Sequence, residues 1–186
     1  MKVSRIIFEH YMLRDIELKD FLDMYEYGSD MKVVENLSWG PFKDKKEAYD
    51  SIKTYFLSRP TRGLPVGYAI IDLSNQKMIG TIDFHTVYEG NKAEIGYALN
   101  YLYWKKGIMS KALSKMLSIG FFQLNYDSII IKHVESNIGS KRVIEKNKFV
   151  LKEVIPKGNF NRFKNAFDNV YLYEMTKKEY EYDHKS

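Results

Sequence analysis

The sequence predicts an α/β (α+β) domain in which a mixed, mostly antiparallel sheet contains one β-α-β crossover. Three observations carry that reading. Residues 66–72, 78–84 and 93–99 follow one another as short β-branched or alternating segments, the pattern of an antiparallel meander. From Gly107 onward Met109, Ala112, Leu113, Met116, Leu117, Phe121 and Leu124 recur at i, i+3, i+4 steps, with Ser110, Lys111, Ser114, Lys115 and Ser118 on the other side. Ser128-Ile129-Ile130-Ile131-Lys132-His133-Val134 then returns to strand composition. A strand, a long helix and another strand imply that segments 93–102 and 128–134 run parallel.

The remaining elements fall in order around that core. Tyr11-Met12-Leu13-Arg14 reads as a short strand, and a helix begins at Asp20-Phe21-Leu22. Residues 44–57 form a second helix, with Asp44 as its cap and Ala48, Ile52, Tyr55 and Phe56 at helical spacing. Between these helices, residues 33–41 are irregular. Their aromatic and turn residues, Trp39 among them, suit either a wall over a site or a plain connector. Ser74-Asn75-Gln76 turns the first meander strand into the second. After the crossover, a short helix at 138–147 and strands near 149–155 and 169–175 complete the domain. Residues 176–186 are almost wholly polar and are expected to fray.

Composition limits what such a domain does. The chain has 186 residues, 45% hydrophobic and 28% charged, without an internal repeat or a linker, so residues 1–186 are expected to form one domain. It has no cysteine, which excludes disulfides, thiolate metal ligands and cysteine nucleophiles and fits a reducing compartment. Twenty-nine basic against 24 acidic residues give a net charge of +5, too small and too dispersed to mark a nucleic-acid binder. No apolar run approaches the ~18 residues that span a bilayer. Ile6-Ile7-Phe8 is too short for the apolar region of a secretory signal. A cytoplasmic protein without membrane attachment is expected. The histidines, at 10, 85, 133 and 184, show no metal-ligand spacing, and no metal is expected.

The most informative segment is Tyr103-Trp104-Lys105-Lys106-Gly107-Ile108-Met109-Ser110, where strand gives way to the long helix. The first-turn amides of a helix lack intrahelical acceptors, and the helix dipole adds partial positive charge there. Gly107 permits close backbone approach, and Lys105 and Lys106 add two cations. Such a turn suits a pyrophosphate. The alternative is a glycine that merely opens a helix beside two solvated lysines. The segment is neither G-x-x-x-x-G-K-[ST] nor G-x-G-x-x-G, which disfavours nucleoside triphosphates and dinucleotides.

Three stretches taken together, 93–97, 104–113 and Glu135-Ser136-Asn137-Ile138-Gly139-Ser140 through Phe149, resemble the GNAT N-acetyltransferase superfamily. They are most similar to its ribosomal-protein N-terminal (serine/alanine) acetyltransferase branch. The resemblance implies a seven-stranded mixed sheet with helices on both faces, splayed at the strand before the loop. It also implies acetyl-coenzyme A as donor and an amine as acceptor, either a protein N-terminus or a small amine. Leu102, Tyr103, Trp104, Lys105, Lys106, Gly107, Ile108, Met109 and Ser110 would then hold the cofactor, with a backbone N–H near Leu102 or Tyr103 on the thioester oxygen. Asn137 would contact the pantetheine arm. Ser140 matches a proposed proton donor to the leaving thiolate, and Glu94 is the candidate base.

Plainer readings stand beside these roles. Glu94 is also readable as a solvated strand carboxylate, and Asn137 and Ser140 as helix caps. His85 is either part of an acceptor-binding wall with Trp39 or a surface histidine at a strand end. Several positions depart from the family pattern. Trp104 and Met109 occupy the ends of the loop motif, Lys148 stands where a glycine is common, and Ile144 replaces a frequent tyrosine acid. Asn159-Phe160-Asn161-Arg162-Phe163-Lys164-Asn165 interleaves aromatic and basic residues. It is either a stacking surface for single-stranded nucleic acid or the hairpin between the last two strands. Its basic character disfavours polyamines and aminoglycosides as acceptors. Three functions are consistent with the residues: an N-acetyltransferase, a non-catalytic acyl-coenzyme A-binding module of the same fold and, last, an RNA-binding protein. The assembly is expected to be a monomer or homodimer.

Overall fold

The computed structural model describes residues 5–65 and 67–184. Its centre is a mixed sheet of eight strands: β1 (Ile6–Phe8), β2 (Tyr11–Asp15), β3 (Tyr68–Asp72), β4 (Lys77–Tyr88), β5 (Lys92–Leu99), β6 (Ser128–Val134), β7 (Val150–Asn161) and β8 (Ala166–Thr176). The spatial order is β1-β2-β3-β4-β5-β6-β8-β7. Among the described residues only β5 and β6 pair in parallel, so the crossover lies where the sequence places it. The expected count of seven strands is corrected to eight. Ile6-Ile7-Phe8, only three residues long, folds back on β2 through Glu9-His10 and pairs Ile6 with Leu13 and Phe8 with Tyr11. Val66, the expected start of the first meander strand, lies outside the described residues; Gly67 is not in the strand, and β3 begins at Tyr68.

Helices cover both faces. Helix α4 (Ile108–Ser118) and helix α5 (Ile138–Lys146) pack on one side. Ala112, Leu113, Met116 and Ile144 there join Ile82, Phe84, Ile95, Ile129 and Tyr173 of the sheet in one core. The apolar stripe of α4 is thus the stripe read from the sequence. On the other face lie α1 (Phe21–Gly28), α2 (Met31–Val34) and α3 (Lys45–Ser51). Their Met24, Tyr27, Val34, Ala48 and the following Ile52 meet Ala69, Ile71, Met78 and Ala98 in a second core. These helices lie over the β2–β5 half, whereas β7 is exposed along most of its length.

Two features shape the site. First, β5 and β6 pair only at Lys92↔Ser128, Ala93↔Ile129 and Glu94↔Ile130. Beyond Glu94 they separate, while β6 stays paired with β8 along its whole length. The sheet therefore opens as a V. Second, β4 runs to Tyr88 rather than ending near residue 84, and its register shifts between Phe84 and Thr86. His85 is the extra residue of that bulge.

The polar C-terminal stretch is also corrected. Lys177–His184 form helix α6, whose Tyr180 is 6% exposed and packs against Phe121 and Phe122. Among the described residues no helix is long and apolar enough to cross a membrane, and no three potential ligand side chains converge as for a metal ion.

Candidate active site

The loop from β5 into α4 is built by local hydrogen bonds. Asn100 accepts the Leu102 N–H on its side-chain oxygen at 3.1 Å and the Tyr103 N–H on its carbonyl at 3.0 Å. The Trp104 indole N–H donates to the Leu99 carbonyl at 2.8 Å, closing the end of β5. Lys105 (φ 62°) and Gly107 (φ 75°) then turn the chain through the left-handed region, and α4 begins at Ile108. Gly107 is the N-cap and has no side chain to offer its helix. Among the described residues no acceptor meets the amides from Lys105 to Ser110. A Cβ placed on Gly107 would meet nothing within 4 Å, so the space in front of that glycine is open. The geometry fits a diphosphate.

Other expectations at this loop are revised. The N–H groups of Leu102 and Tyr103 are already committed to Asn100, so neither is a free donor for a thioester oxygen. Ile108 and Met109 bury their side chains in the core, which leaves them only backbone to offer a cofactor. Ser110 is 9% exposed, and its carbonyl accepts the Asn147 amide at 3.1 Å. Lys106 lies 4.9 Å over the Tyr103 ring, and Lys105 is exposed beside it.

Across the V, Asn137 caps α5 by accepting the Ser140 N–H at 3.0 Å. The cap reading of Asn137 is therefore the one its hydrogen bond satisfies. Ser140 is not the cap. Its hydroxyl lies 2.7 Å from the Tyr97 hydroxyl, joining the separated part of β5 to α5. Burial pushes the Tyr97 phenol above its usual range, opposed in part by the Ser140 hydrogen bond. Ile144 is fully buried in the core and carries no chemistry.

Glu94 stands at the last β5–β6 pair, where the strands part. It is 8% exposed, so the reading of a solvated carboxylate is overturned. Tyr88 donates to its Oε2 at 2.5 Å and Lys132 at 3.0 Å. Burial works against the Lys132 ammonium, but its bonds to Glu94 and Tyr88 outweigh that and hold its pKa above the ordinary lysine value. The hydrogen bond to Glu94 is also the main reason the Tyr88 phenol titrates high. The Glu94 Oε1 atom faces His85, whose Nε2 is 3.6 Å away. His85 Nδ1 lies 2.8 Å from the Thr86 hydroxyl. His85 is thus inside a strand and against the candidate base, not on a surface strand end.

Tyr88 and Lys132 are absent from the residues singled out in the sequence. The β4–β5 hairpin could have revealed Tyr88, which is six residues before Glu94 and on its face. Lys132 breaks an isoleucine run at the position that places it beside Glu94.

Beside this cluster a basin of about 510 Å³ is lined by Tyr88, Lys92, Ile130, Lys132 and Leu172. A second cleft, of about 130 Å³, separates Glu35, Leu37 and Ser38 from residues 159–163 of the β7–β8 hairpin. Its walls are tied by the Asn161 amide on the Glu35 carbonyl at 3.2 Å, and the Ser136 hydroxyl, ahead of α5, donates to Asn36 at 2.7 Å. Trp39 stacks on Phe42 with ring centroids 5.3 Å apart and packs on the second core. It is half-buried wall, and it lines neither cavity.

Residues 10–150 match the acetyltransferase (GNAT) domain family. The chain is 30% identical over 173 residues to the uncharacterized N-acetyltransferase p20 of Bacillus licheniformis, covering 92% of this chain and 96% of that one. It superposes on the ribosomal-protein-S5-alanine acetyltransferase of Vibrio fischeri with a TM-score of 0.81 at 20% identity, covering 96% and 99% of the two chains. A ribosomal L7/L12 alpha-N-protein acetyltransferase in complex with coenzyme A gives a TM-score of 0.82 at 20% identity, covering 93% and 98%. By the family match over residues 10–150 and the full-length relative, and in keeping with parted parallel strands, unpaired amides at the following turn and a buried carboxylate at the point of parting, this chain belongs to the GNAT acetyltransferase family and is an N-acetyltransferase.

Proposed function

We propose that the chain acetylates the α-amino group of a protein or peptide N-terminus, by direct transfer from acetyl-coenzyme A within a ternary complex. The observation that carries this reading is the placement of two unlike sites at one opening of the sheet. The free amides of residues 105–110 lie at the end of β5, and Glu94 lies where β5 leaves β6.

Acetyl-coenzyme A supplies an activated thioester. The chain does the rest. The turn at 105–110, with Lys105 and Lys106, binds the diphosphate. Backbone groups of residues 95–98 that point toward β6 have no strand to pair with there. They take over the role first read into Leu102 and Tyr103, orienting the thioester and donating to its oxygen, an interaction of ~2.7–4 kcal/mol in comparable sites. An alkyl ammonium titrates near ~10 and must lose a proton before it attacks. Glu94, held by Tyr88 and Lys132, supplies the negative charge that draws that proton away. Ser140, backed by Tyr97, protonates the departing thiolate in place of the tyrosine that Ile144 replaces. The open basin beside Glu94 accommodates an extended peptide end. The basic residues Arg162 and Lys164 on the neighbouring hairpin argue against polycations.

The test is direct because the chain contributes no thiol of its own. Acetyl-coenzyme A is incubated with peptides bearing free or blocked α-amino groups, and with polyamines, and released thiol is followed. Thiol release that depends on a free peptide α-amine is expected. Release with polyamines but not with peptides would overturn the acceptor assignment, and no acceptor-dependent release would overturn the reading as a whole.

A further inference from the structure

We infer that His85 is the group that takes the proton from the acceptor amine, and that its Nε2 and the Glu94 Oε1 together form the seat of the incoming ammonium. The inference rests on the proposed amine acetylation and specifies the route of the proton, which that reading leaves open.

Three independent features place the ring there. The first is the bulge. With Phe84 paired to Ile95 and Thr86 to Glu94, His85 is the extra residue, and a bulge turns its side chain toward the face that carries Thr86 and Glu94. Regular pairing would alternate residues 85 and 86 to opposite faces. The second is Gly96. A Cβ at this position would lie 2.9 Å from His85 Cδ2 and 3.3 Å from its Nε2, so the imidazole lies directly over the glycine. Gly96 has no positive φ, so the approaching ring, not the backbone, accounts for the missing side chain. The third is the division of labour on Glu94. Its Oε2 is taken by Tyr88 and Lys132, while Oε1 faces His85 at 3.6 Å.

That separation is too long for a hydrogen bond between the two atoms. With the ring proton on Nδ1, donated to the Thr86 hydroxyl at 2.8 Å, Nε2 presents a lone pair beside a carboxylate oxygen. Two acceptors side by side accommodate two N–H bonds of one ammonium. Side-chain exposures of 26% for His85 and 10% for Glu94 fit an imidazole open to an incoming group with its carboxylate behind it.

Charged groups lie on three neighbouring elements. Glu94 on β5 lies 3.6 Å from the ring, Asp83 on β4 is paired with Arg59 at 2.7 Å, and Lys132 on β6 is paired with Glu94 at 3.0 Å. The step conserves protons. The ammonium gives one proton to Nε2, the freed nitrogen attacks the thioester carbon, and the C–N bond forms as the C–S bond breaks. The second amine proton leaves with the thiolate by way of Ser140. His85, now protonated, turns its Nε2–H toward Glu94 Oε1 until water removes it. Glu94 is then the electrostatic partner of the protonated base, and Thr86, on Nδ1, is the third group that orients the ring.

The test uses the full chain with acetyl-coenzyme A and the free-amine peptides. His85→Gln should lower kcat/KM for the peptide by roughly 10²-fold, within the range of general-base catalysis, and abolish the acid limb of the pH–rate profile, with calorimetric affinity for acetyl-coenzyme A unchanged. Gly96→Ala, which leaves every titrating group in place but displaces the ring, should lower the rate by about tenfold. Nitrogen NMR of the free protein gives a readout without turnover: Nε2 of His85 should be the unprotonated nitrogen. A wild-type enzyme that turns over, with an unchanged acid limb in His85→Gln or a proton resident on Nε2, overturns this inference alone. Absence of wild-type turnover overturns the parent reading and this one with it.

Discussion

Gly107 is required for two separable reasons, and substitutions can divide them. Its φ of 75° is a region L-residues enter at a cost of ~1–2 kcal/mol, and the space before it is open to a ligand. Gly107→Val carries both penalties. Gly107→Asn adds a side chain in front of the amides but tolerates the left-handed conformation. Calorimetry should show at least a tenfold loss of acetyl-coenzyme A affinity in both variants, and thermal unfolding should fall clearly only in the valine variant. Full affinity in Gly107→Asn would show that the amides do not bind the diphosphate. Glu94 teaches a related lesson. The sequence places it on the correct strand and at the correct end, but its burial depends on Tyr88 and Lys132, which come from two other strands.

At the scale of elements, what was legible followed from periodicity and what was lost followed from short segments. Helix α4 and strand β6 were readable because each buries a long, regular apolar pattern. Strand β1, three residues long, has too little pattern to register, and the bulge at His85 breaks the alternation that would have extended β4 to Tyr88. Helix α6 left a different signal, because Thr176-x-x-Glu179 is a capping box. Glu179 Oε2 accepts the Thr176 N–H at 2.7 Å, and the Thr176 hydroxyl accepts the Glu179 N–H at 3.2 Å. The motif stands in the tail that composition alone marks as frayed. Its effect is measurable. Thr176→Val should cost about 1 kcal/mol of helix stability and speed amide exchange through residues 177–184. The backbone and hydroxyl hydrogen bonds from Thr176 hold the Glu179 carboxyl below its usual range. A depressed carboxylate contributes fully above the ordinary glutamate value of ~4.3, and its contribution is lost as pH falls through the lower folded value. Exchange in α6 should therefore rise in acid more steeply in the wild type than in Glu179→Gln.

The whole molecule adds a field that no single contact supplies. A chain with a net charge of +5 attracts a polyanionic donor from a distance, and Lys105 and Lys106 place two of those charges beside the open amides. Long-range attraction acts on encounter, whereas hydrogen bonds to the turn act on escape. The two contributions should therefore separate kinetically. Raising ionic strength from ~0.02 M to ~0.5 M should slow acetyl-coenzyme A association by roughly tenfold while dissociation changes little. Replacing Lys105 and Lys106 by glutamate should give the same slowing at low salt and flatten the salt dependence, whereas Gly107→Asn should act on dissociation and leave the salt slope in place. Stopped-flow binding measures both rates. A salt-insensitive association rate would mean that the positive charge of the chain serves another surface, and that the turn captures its ligand through the backbone alone.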